Sequence, residues 1–475
     1  MEPFSVAELI RAVGGRVEGP VPDGLVRSIS TDSRAIPPGA CFFALRGERF
    51  DGHVFVETAL RAGACCAVVR DDALAPQDGR LIRVGDTLRA LGDLARWYRR
   101  RMGFRVVGIT GSAGKTTTRQ IVHHVLSRRM GCHQAEKSFN NAVGLPLTLL
   151  RAGREHAVVV AELGTNAPGE IRDLTLIAEP DIAVVTNVLP AHLEGFGSLE
   201  AIVAEKASIA EGLRPDGCLL INGRTPELVA YCRRLGLAFE TFGTSADCTI
   251  HADALQTDGD RGRLTIESVR VEVPLAGRAN LENVLAAWAV CRRFGVDVGD
   301  FAGAVASLTP PEMRLQLESI GPLLVLNDCY NANPASMANA LDCLQRLAGR
   351  TGRRSVFICG TMAELGPAAE SLHEDLGRQA AEHGVQVLLA AGSFVEAVER
   401  GFRQAAGTGR AAHHFTTTGI LCDNLQEFVA ADDIVLVKGS RCMHLEQAVQ
   451  RLRAGFAPAE AGAPSARSSP RRSEA

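Results

Sequence analysis

Gly108-Ile109-Thr110-Gly111-Ser112-Ala113-Gly114-Lys115-Thr116-Thr117 is the stretch on which the reading of this chain turns. It follows a strand-like apolar run at 104–109 and opens a helix-like segment at 116–129. Glycines let successive backbone N–H groups converge on phosphate oxygens, and the helix N-terminus adds a favourable field. Lys115 would neutralise β/γ-phosphates, and the Thr116 hydroxyl would reach Mg²⁺. A strict GxxxxGK[ST] pattern is not met, because position 109 is isoleucine; the compact core from Gly111 to Thr117 remains. An ordinary glycine turn with a surface lysine is the alternative, and the strand-to-helix context favours phosphate. The stretch reads as a triphosphate cradle and leaves the reaction open.

Outward from the loop, the chain alternates. Strand candidates at 157–163, 182–188 and 218–222 are separated by helical segments such as 199–212, which predicts a largely parallel sheet flanked by helices. Residues 245–275 alternate like antiparallel strands, clearest at 264–273, and 280–294 reads as a helix. Residues 1–102 form a mixed α/β block ending in a basic helix at 91–101. Beyond Pro310-Pro311 the rhythm resumes, with strand candidates at 323–327, 355–359, 385–390 and 433–437. The segment 456–475 is Ala/Pro/Ser/Arg-rich and reads as a disordered tail. A length of 475 residues suits about three domains. The expected fold is therefore α/β in three domains: a mixed N-terminal domain (1–102), a central P-loop mononucleotide-binding domain with a mostly parallel sheet (103–312), and a C-terminal Rossmann-like domain (313–455).

Composition excludes several classes. The formal charge of −3 argues against a nucleic-acid binder acting through bulk charge. No apolar run reaches the ~18 residues that span a bilayer, and Met1-Glu2-Pro3 does not begin a secretory signal. Thirteen scattered cysteines without a CxxC read as reduced, mostly buried thiols in a cytoplasmic protein.

In a parallel sheet, ligands sit beyond the carboxyl ends of the strands. Glu162, Asn187 and, five residues on, His192 fall at such ends; Lys206 lies on the following helix. A carboxylate and an imidazole beside a triphosphate suit a divalent cation. On spacing alone, a salt bridge for Glu162 and a loop or capping role for His192 are equal alternatives, and Lys206 reads as a solvated helix lysine.

Taken in order, the motifs resemble those of the Mur ligases, ATP-dependent amide-forming enzymes of peptidoglycan synthesis. They are Thr31-Asp32-Ser33-Arg34, the run Ala44 to His53, the phosphate loop, Ala161-Glu162-Leu163-Gly164-Thr165-Asn166, Thr186-Asn187, and Ala191-His192 through Ser198. The C-terminal block adds Tyr330 to Met337, Met362-Ala363-Glu364-Leu365-Gly366 and Val437-Lys438-Gly439-Ser440-Arg441. The resemblance runs to about residue 453. It implies that Lys115 and the backbone of Gly111, Ser112, Ala113, Gly114, Thr116 and Thr117 hold the ATP phosphates. Thr116 and Glu162 would bind one Mg²⁺, and His192 with Lys206, carbamylated by CO₂, a second. Asn280 and Asn283 match positions near adenine. Arg314 and Asp328 match nucleotide contacts from the third domain, which would close on the nucleotide and bind the incoming amine. Ser33, Arg34, Asp51 and His53 fall in the UDP-sugar segment.

Within the family the motifs look most like an enzyme adding D-alanyl-D-alanine to UDP-N-acetylmuramoyl-tripeptide through an acyl phosphate. Small molecules would be its partners, with no nucleic acid or membrane insertion, and the chain would be monomeric. The sister ligase that adds the third residue is the nearest rival, disfavoured by the missing Asp-Asn-Pro-Arg signature. A non-catalytic nucleotide-binding regulator is a second rival, set against intact Lys115, Glu162, His192 and Lys206. A P-loop GTPase lacks its Asn-Lys-x-Asp here. Four departures stand out: Ala279 replaces a frequent histidine, Met313 a glycine or histidine, Thr361 the usual aspartate of Gly-Asp-Met, and Asn222-Gly223-Arg224 lacks expected acids.

Overall fold

The computed structural model describes residues 1–47, 50–73, 79–136, 139–190 and 193–456. The chain divides into two compact units. One runs from Met1 to Thr309 apart from Asp258–Asp260, and takes in Glu364–Gly366; the other holds Asp258–Asp260 and the rest of the chain from Pro310.

The first unit contains two parallel sheets. Near the N-terminus, Ser28–Ser30, Ala40–Phe43, Cys66–Arg70 and Leu81–Val84 pair in that order, all parallel. The basic helix spans Thr87–Met102, started by Asp86, whose side chain accepts the Leu88 and Arg89 N–H groups, and stopped by left-handed Gly103. The larger sheet has seven parallel strands: Ile250–His251, Glu240–Gly243, Cys218–Asn222, Ile182–Val185, Arg105–Thr110, Val158–Glu162 and Cys132–Gln134, in that order. Its inner strands read as unbroken apolar runs because both faces are covered; every residue of Ile182–Val185 and Val158–Glu162 is buried. Helices Lys115–Leu126 and Arg278–Cys291 pack together with one of these faces.

The antiparallel reading at 264–273 resolves into two strands. Gly262–Ile266 and Val269–Val273 pair across Glu267 and Ser268, both with positive φ, and Ala254–Thr257 adds a third. The helix read at 280–294 is α-helical over Arg278–Cys291 and tightens to a 3₁₀ turn at Arg292–Phe294.

The second unit has a six-stranded sheet ordered Gln316–Ile320, Leu323–Asp328, Ile434–Lys438, Ser355–Gly360, Val387–Ala391 and Ala411–Phe415. Only the first pair is antiparallel. The last strand in sequence thus inserts between two earlier ones, bringing the carboxyl ends at Asp328, Lys438 and Gly360 side by side. The tail reading at 456–475 needs one correction. Phe456 closes the helix Glu446–Phe456, whose apolar face carries buried Ala448, Val449 and Leu452; residues 457–475 lie outside those described. Among the described residues, no helix is long and apolar enough to cross a membrane. All thirteen cysteines are free thiols, and only Cys442 is exposed.

Candidate active site

The phosphate loop joins the strand Arg105–Thr110 to the helix Lys115–Leu126. Two glycines make the turn. Gly111 has φ +146° and Gly114 φ +82°, and a Cβ at either would lie about 2 Å from a neighbouring side-chain oxygen, of Thr186 and Asn283 respectively. No L side chain fits these positions without moving that oxygen. Lys115 Nζ folds back over the loop and donates to the Gly111 carbonyl (2.7 Å). Thr117 is buried in the helix's first turn.

Register brings the carboxylate to the loop. Ile109 pairs with Glu162 across adjacent parallel strands, so Glu162 emerges where the loop begins. The Thr116 hydroxyl donates to Glu162 Oε2 (2.9 Å), and Asn140 Nδ2 donates to Oε1 (2.9 Å). Arg119 Nε lies 3.8 Å from Oε2, with both side chains 3% exposed. A buried charge needs such partners. The salt-bridge alternative for Glu162 is thus real, yet it coexists with a hydroxyl–carboxylate pair of hard oxygen donors beside a phosphate cradle, the chemistry Mg²⁺ takes. Among the described residues, no group of three or more His, Cys, Asp or Glu side chains forms a metal cage. His192 lies outside the described residues.

Lys206 is not a solvated helix lysine. It sits on the helix Leu199–Ala207, is 2% exposed, and makes no hydrogen bond or ion pair among the described residues. Burial, and then the charge of Lys115, lower its pKa from 10.5 to about 7. Its neighbour Glu205, also buried, fixes the helix. Glu205 accepts from the Thr165 hydroxyl (3.1 Å) and from the N–H groups of Gly169 (2.7 Å) and Ile171 (2.8 Å), capping the helix Glu170–Ala178.

Asn283 and Asn280 stand in the first turns of Arg278–Cys291, where Asn283 Nδ2 donates to Asn280 Oδ1 (3.0 Å) and Asn280 Nδ2 to the Ala276 carbonyl (2.7 Å). Asn283 lies directly against Gly114, so the loop and these asparagines form one site. At the third sheet neighbour, Asn222 Nδ2 donates to the Thr186 carbonyl (2.9 Å), and Glu282 pairs with Arg224. The segment without acids after that strand is thus served by an acid from the helix.

The remaining sequence-predicted residues are placed elsewhere. Ser33 and Arg34 form a turn after Ser28–Ser30, in which Arg34 clamps Asp32 and holds its carboxyl down at about 2. His53 is buried and internally satisfied: Nε2 accepts the Arg70 N–H (3.0 Å), so Nδ1 donates to Asp51 (2.5 Å). Arg314 and Asp328 belong to the C-terminal unit. Arg314 stacks 4.1 Å from the Tyr330 ring between left-handed Met313 and Leu315. Met313 has φ +56°, a backbone conformation that glycine adopts most easily. Asp328 Oδ2 accepts from buried Lys438 Nζ (2.6 Å), its register partner, which also donates to the Asn331 carbonyl (2.9 Å). Thr361 Oγ1 accepts the Ser393 N–H (2.8 Å). Sequence reading missed Asn140, Arg119 and Glu205. Each acts through a fold-level contact, and only the Asn140-Asn141 pair before a helix offered a local signal.

A glycine turn of this shape between a strand and a helix, with Lys115, Thr116 and Glu162 beside it, suits the phosphates of a nucleotide. Models of the Mur ligase family catalytic domain, the Mur ligase middle domain and the Mur ligase glutamate ligase domain match residues 25–99, 109–291 and 313–441. UDP-N-acetylmuramoyl-tripeptide–D-alanyl-D-alanine ligase of Bacillus subtilis is 34% identical over 434 residues, covering 90% of this chain and 93% of its own. The structure of MurF from Acinetobacter baumannii is 29% identical and covers 96% of this chain and 99% of its own, with a TM-score of 0.86. That of MurF from Thermotoga maritima in complex with ADP is 26% identical, covers 91% and 98%, and has a TM-score of 0.79. The chain belongs to the Mur ligase family, ATP-dependent enzymes with a three-domain α/β fold.

Two outcomes follow from this geometry. Gly114→Ala should abolish nucleotide binding in calorimetry while leaving the melting temperature within a few degrees; unimpaired binding would contradict the packing of Asn283 on the loop. For Lys206, the folded pKa is depressed, so between about pH 7 and 10.5 the unfolded chain binds the extra proton. In CO₂-depleted buffer, the stability of the wild type relative to Lys206→Met should therefore rise from pH 7 to 10. A flat difference would place the amine in solvent.

Proposed function

We propose that the chain is an ATP-dependent ligase that joins D-alanyl-D-alanine to UDP-N-acetylmuramoyl-tripeptide, forming the pentapeptide precursor of peptidoglycan. The observation that carries this reading is the meeting of Thr116 and Glu162 at 2.9 Å beside the phosphate loop, in a chain similar over 90% of its length to a relative with that name.

A carboxylate does not condense with an amine in neutral water; it needs a leaving group. The tripeptide's terminal carboxylate oxygen attacks the γ-phosphorus, the β–γ bridging bond breaks, and ADP departs. The dipeptide amine then adds to the acyl carbon, the carbon–oxygen bond to phosphate breaks, and the ammonium proton passes to base or solvent. Lys115 and the helix N-terminal amides neutralise and orient the phosphates, which is most of what phosphoryl transfer requires. Thr116 and Glu162 would hold Mg²⁺, which when bound offsets charge on the phosphate oxygens. Lys206 would add CO₂ at its neutral amine, losing a proton and becoming an anionic oxygen donor; a pKa of about 7 leaves much of the amine free to react at neutral pH. His192 would share that second cation.

Residues 1–102 would hold the UDP-sugar around Ser33, Arg34, Asp51 and His53, with buried His53 shaping the turn. Residues 103–312 would hold ATP. Residues 313–455 would bring Arg314 and Asp328 to the nucleotide and receive the dipeptide, excluding water from the acyl phosphate. We place the enzyme in the cytoplasm, acting as a monomer.

Phosphate release should require ATP, Mg²⁺, UDP-muramoyl-tripeptide and D-alanyl-D-alanine together, and mass spectrometry should find the UDP-pentapeptide. Lys206→Ala should lose at least about a hundredfold in kcat and regain part of it with small carboxylates. Release with a diamino acid and UDP-dipeptide instead would assign the chain to the sister activity.

A further inference from the structure

Asn187 lies just past the end of the strand Ile182–Val185, on the opposite side of the phosphate-loop strand from Glu162. Its carbonyl accepts the Ser112 N–H (3.1 Å). Its side chain grips the next residue from both ends: Oδ1 accepts the Ala113 N–H (2.9 Å), and Nδ2 donates to the Ala113 carbonyl (3.2 Å). The Thr186 hydroxyl adds a second donor to that carbonyl (2.6 Å). Two residues on, Leu189 N–H donates to Ser112 Oγ (3.0 Å), which donates in turn to the Leu189 carbonyl (3.0 Å).

We infer that Asn187 is a positioning residue of the nucleotide site, setting the shape of the phosphate loop through the Ala113 peptide groups. A primary amide of this length offers a donor and an acceptor side by side, as a neighbouring strand's backbone would. Aspartate keeps the acceptor and loses the donor; leucine has neither. The N–H groups of Ser112 and Ala113 are therefore both held by Asn187, and the Ala113 carbonyl by Asn187 and Thr186. The phosphates are left to the N–H groups that begin the helix, which starts with the Thr118 N–H donating to the Gly114 carbonyl (2.9 Å). A loop fixed in this way before the nucleotide arrives loses less freedom on binding. The inference rests on the reading of this loop as an ATP site.

Calorimetry of the full chain with Mg²⁺ and a non-hydrolysable ATP analogue tests it, with steady-state kinetics alongside. Asn187→Ala should weaken nucleotide binding and raise KM for ATP about tenfold, the cost of one or two lost hydrogen bonds. Asn187→Asp, isosteric but carrying a negative charge toward the loop, should weaken binding at least as much. KM for the UDP-substrate at saturating ATP and the melting temperature should stay nearly unchanged in both. If the wild type binds nucleotide and both variants bind it equally well, the inference fails and the proposed function stands. If the wild type binds no nucleotide, both fail. Parallel loss of both substrates and of melting temperature in both variants would make Asn187 a general structural residue and overturn the inference.

Discussion

The pairing of Arg105–Thr110 with Val158–Glu162 is the constraint on which the site depends. Parallel register sets Ile109 opposite Glu162, so the chain leaves one strand into the phosphate loop at the level where its neighbour presents a carboxylate. The helix that follows turns Thr116 back onto that carboxylate at 2.9 Å. A shift of one residue would point Glu162 to the other face of the sheet and Ala161 or Leu163 toward the loop.

The charges around this pairing are balanced within the protein. Glu162 has Asn140, Arg119 and Thr116; Glu205 has a hydroxyl and two helix-terminal N–H groups. Lys206 alone among these buried groups lacks a hydrogen-bonding partner among the described residues, and its amine responds by giving up affinity for the proton. Burial thus holds this amine well below the range of a surface lysine. Satisfied charges fix the geometry around the loop.

Much of this was legible in the chain. The strands at 218–222 and around 182, the loop glycines and the two-proline boundary follow from apolar runs and backbone preferences, which are local. What was not legible is what crosses the sheet. Lys206 is identical in pattern to a surface lysine on a helix, because helix Leu199–Ala207 has almost no amphipathic contrast to show which face is buried. Asn140 and Arg119 reach Glu162 only after a parallel crossover. The strands Gln316–Ile320 and Ala411–Phe415 carry polar residues suited to edge positions, so no apolar run marked them. The antiparallel strands within 264–273 were legible from their alternation, but the place of their turn was not, because Glu267-Ser268 lacks glycine and still takes positive φ.

The route of one oxygen atom tests the central chemistry most directly. The tripeptide carboxylate of the UDP-substrate would be labelled with ¹⁸O and turned over once with ATP and D-alanyl-D-alanine, and the phosphate examined by ³¹P NMR or mass spectrometry. Transfer of the terminal phosphoryl group to the carboxylate predicts one ¹⁸O in the inorganic phosphate released. Unlabelled phosphate, or label carried into AMP, would contradict the account.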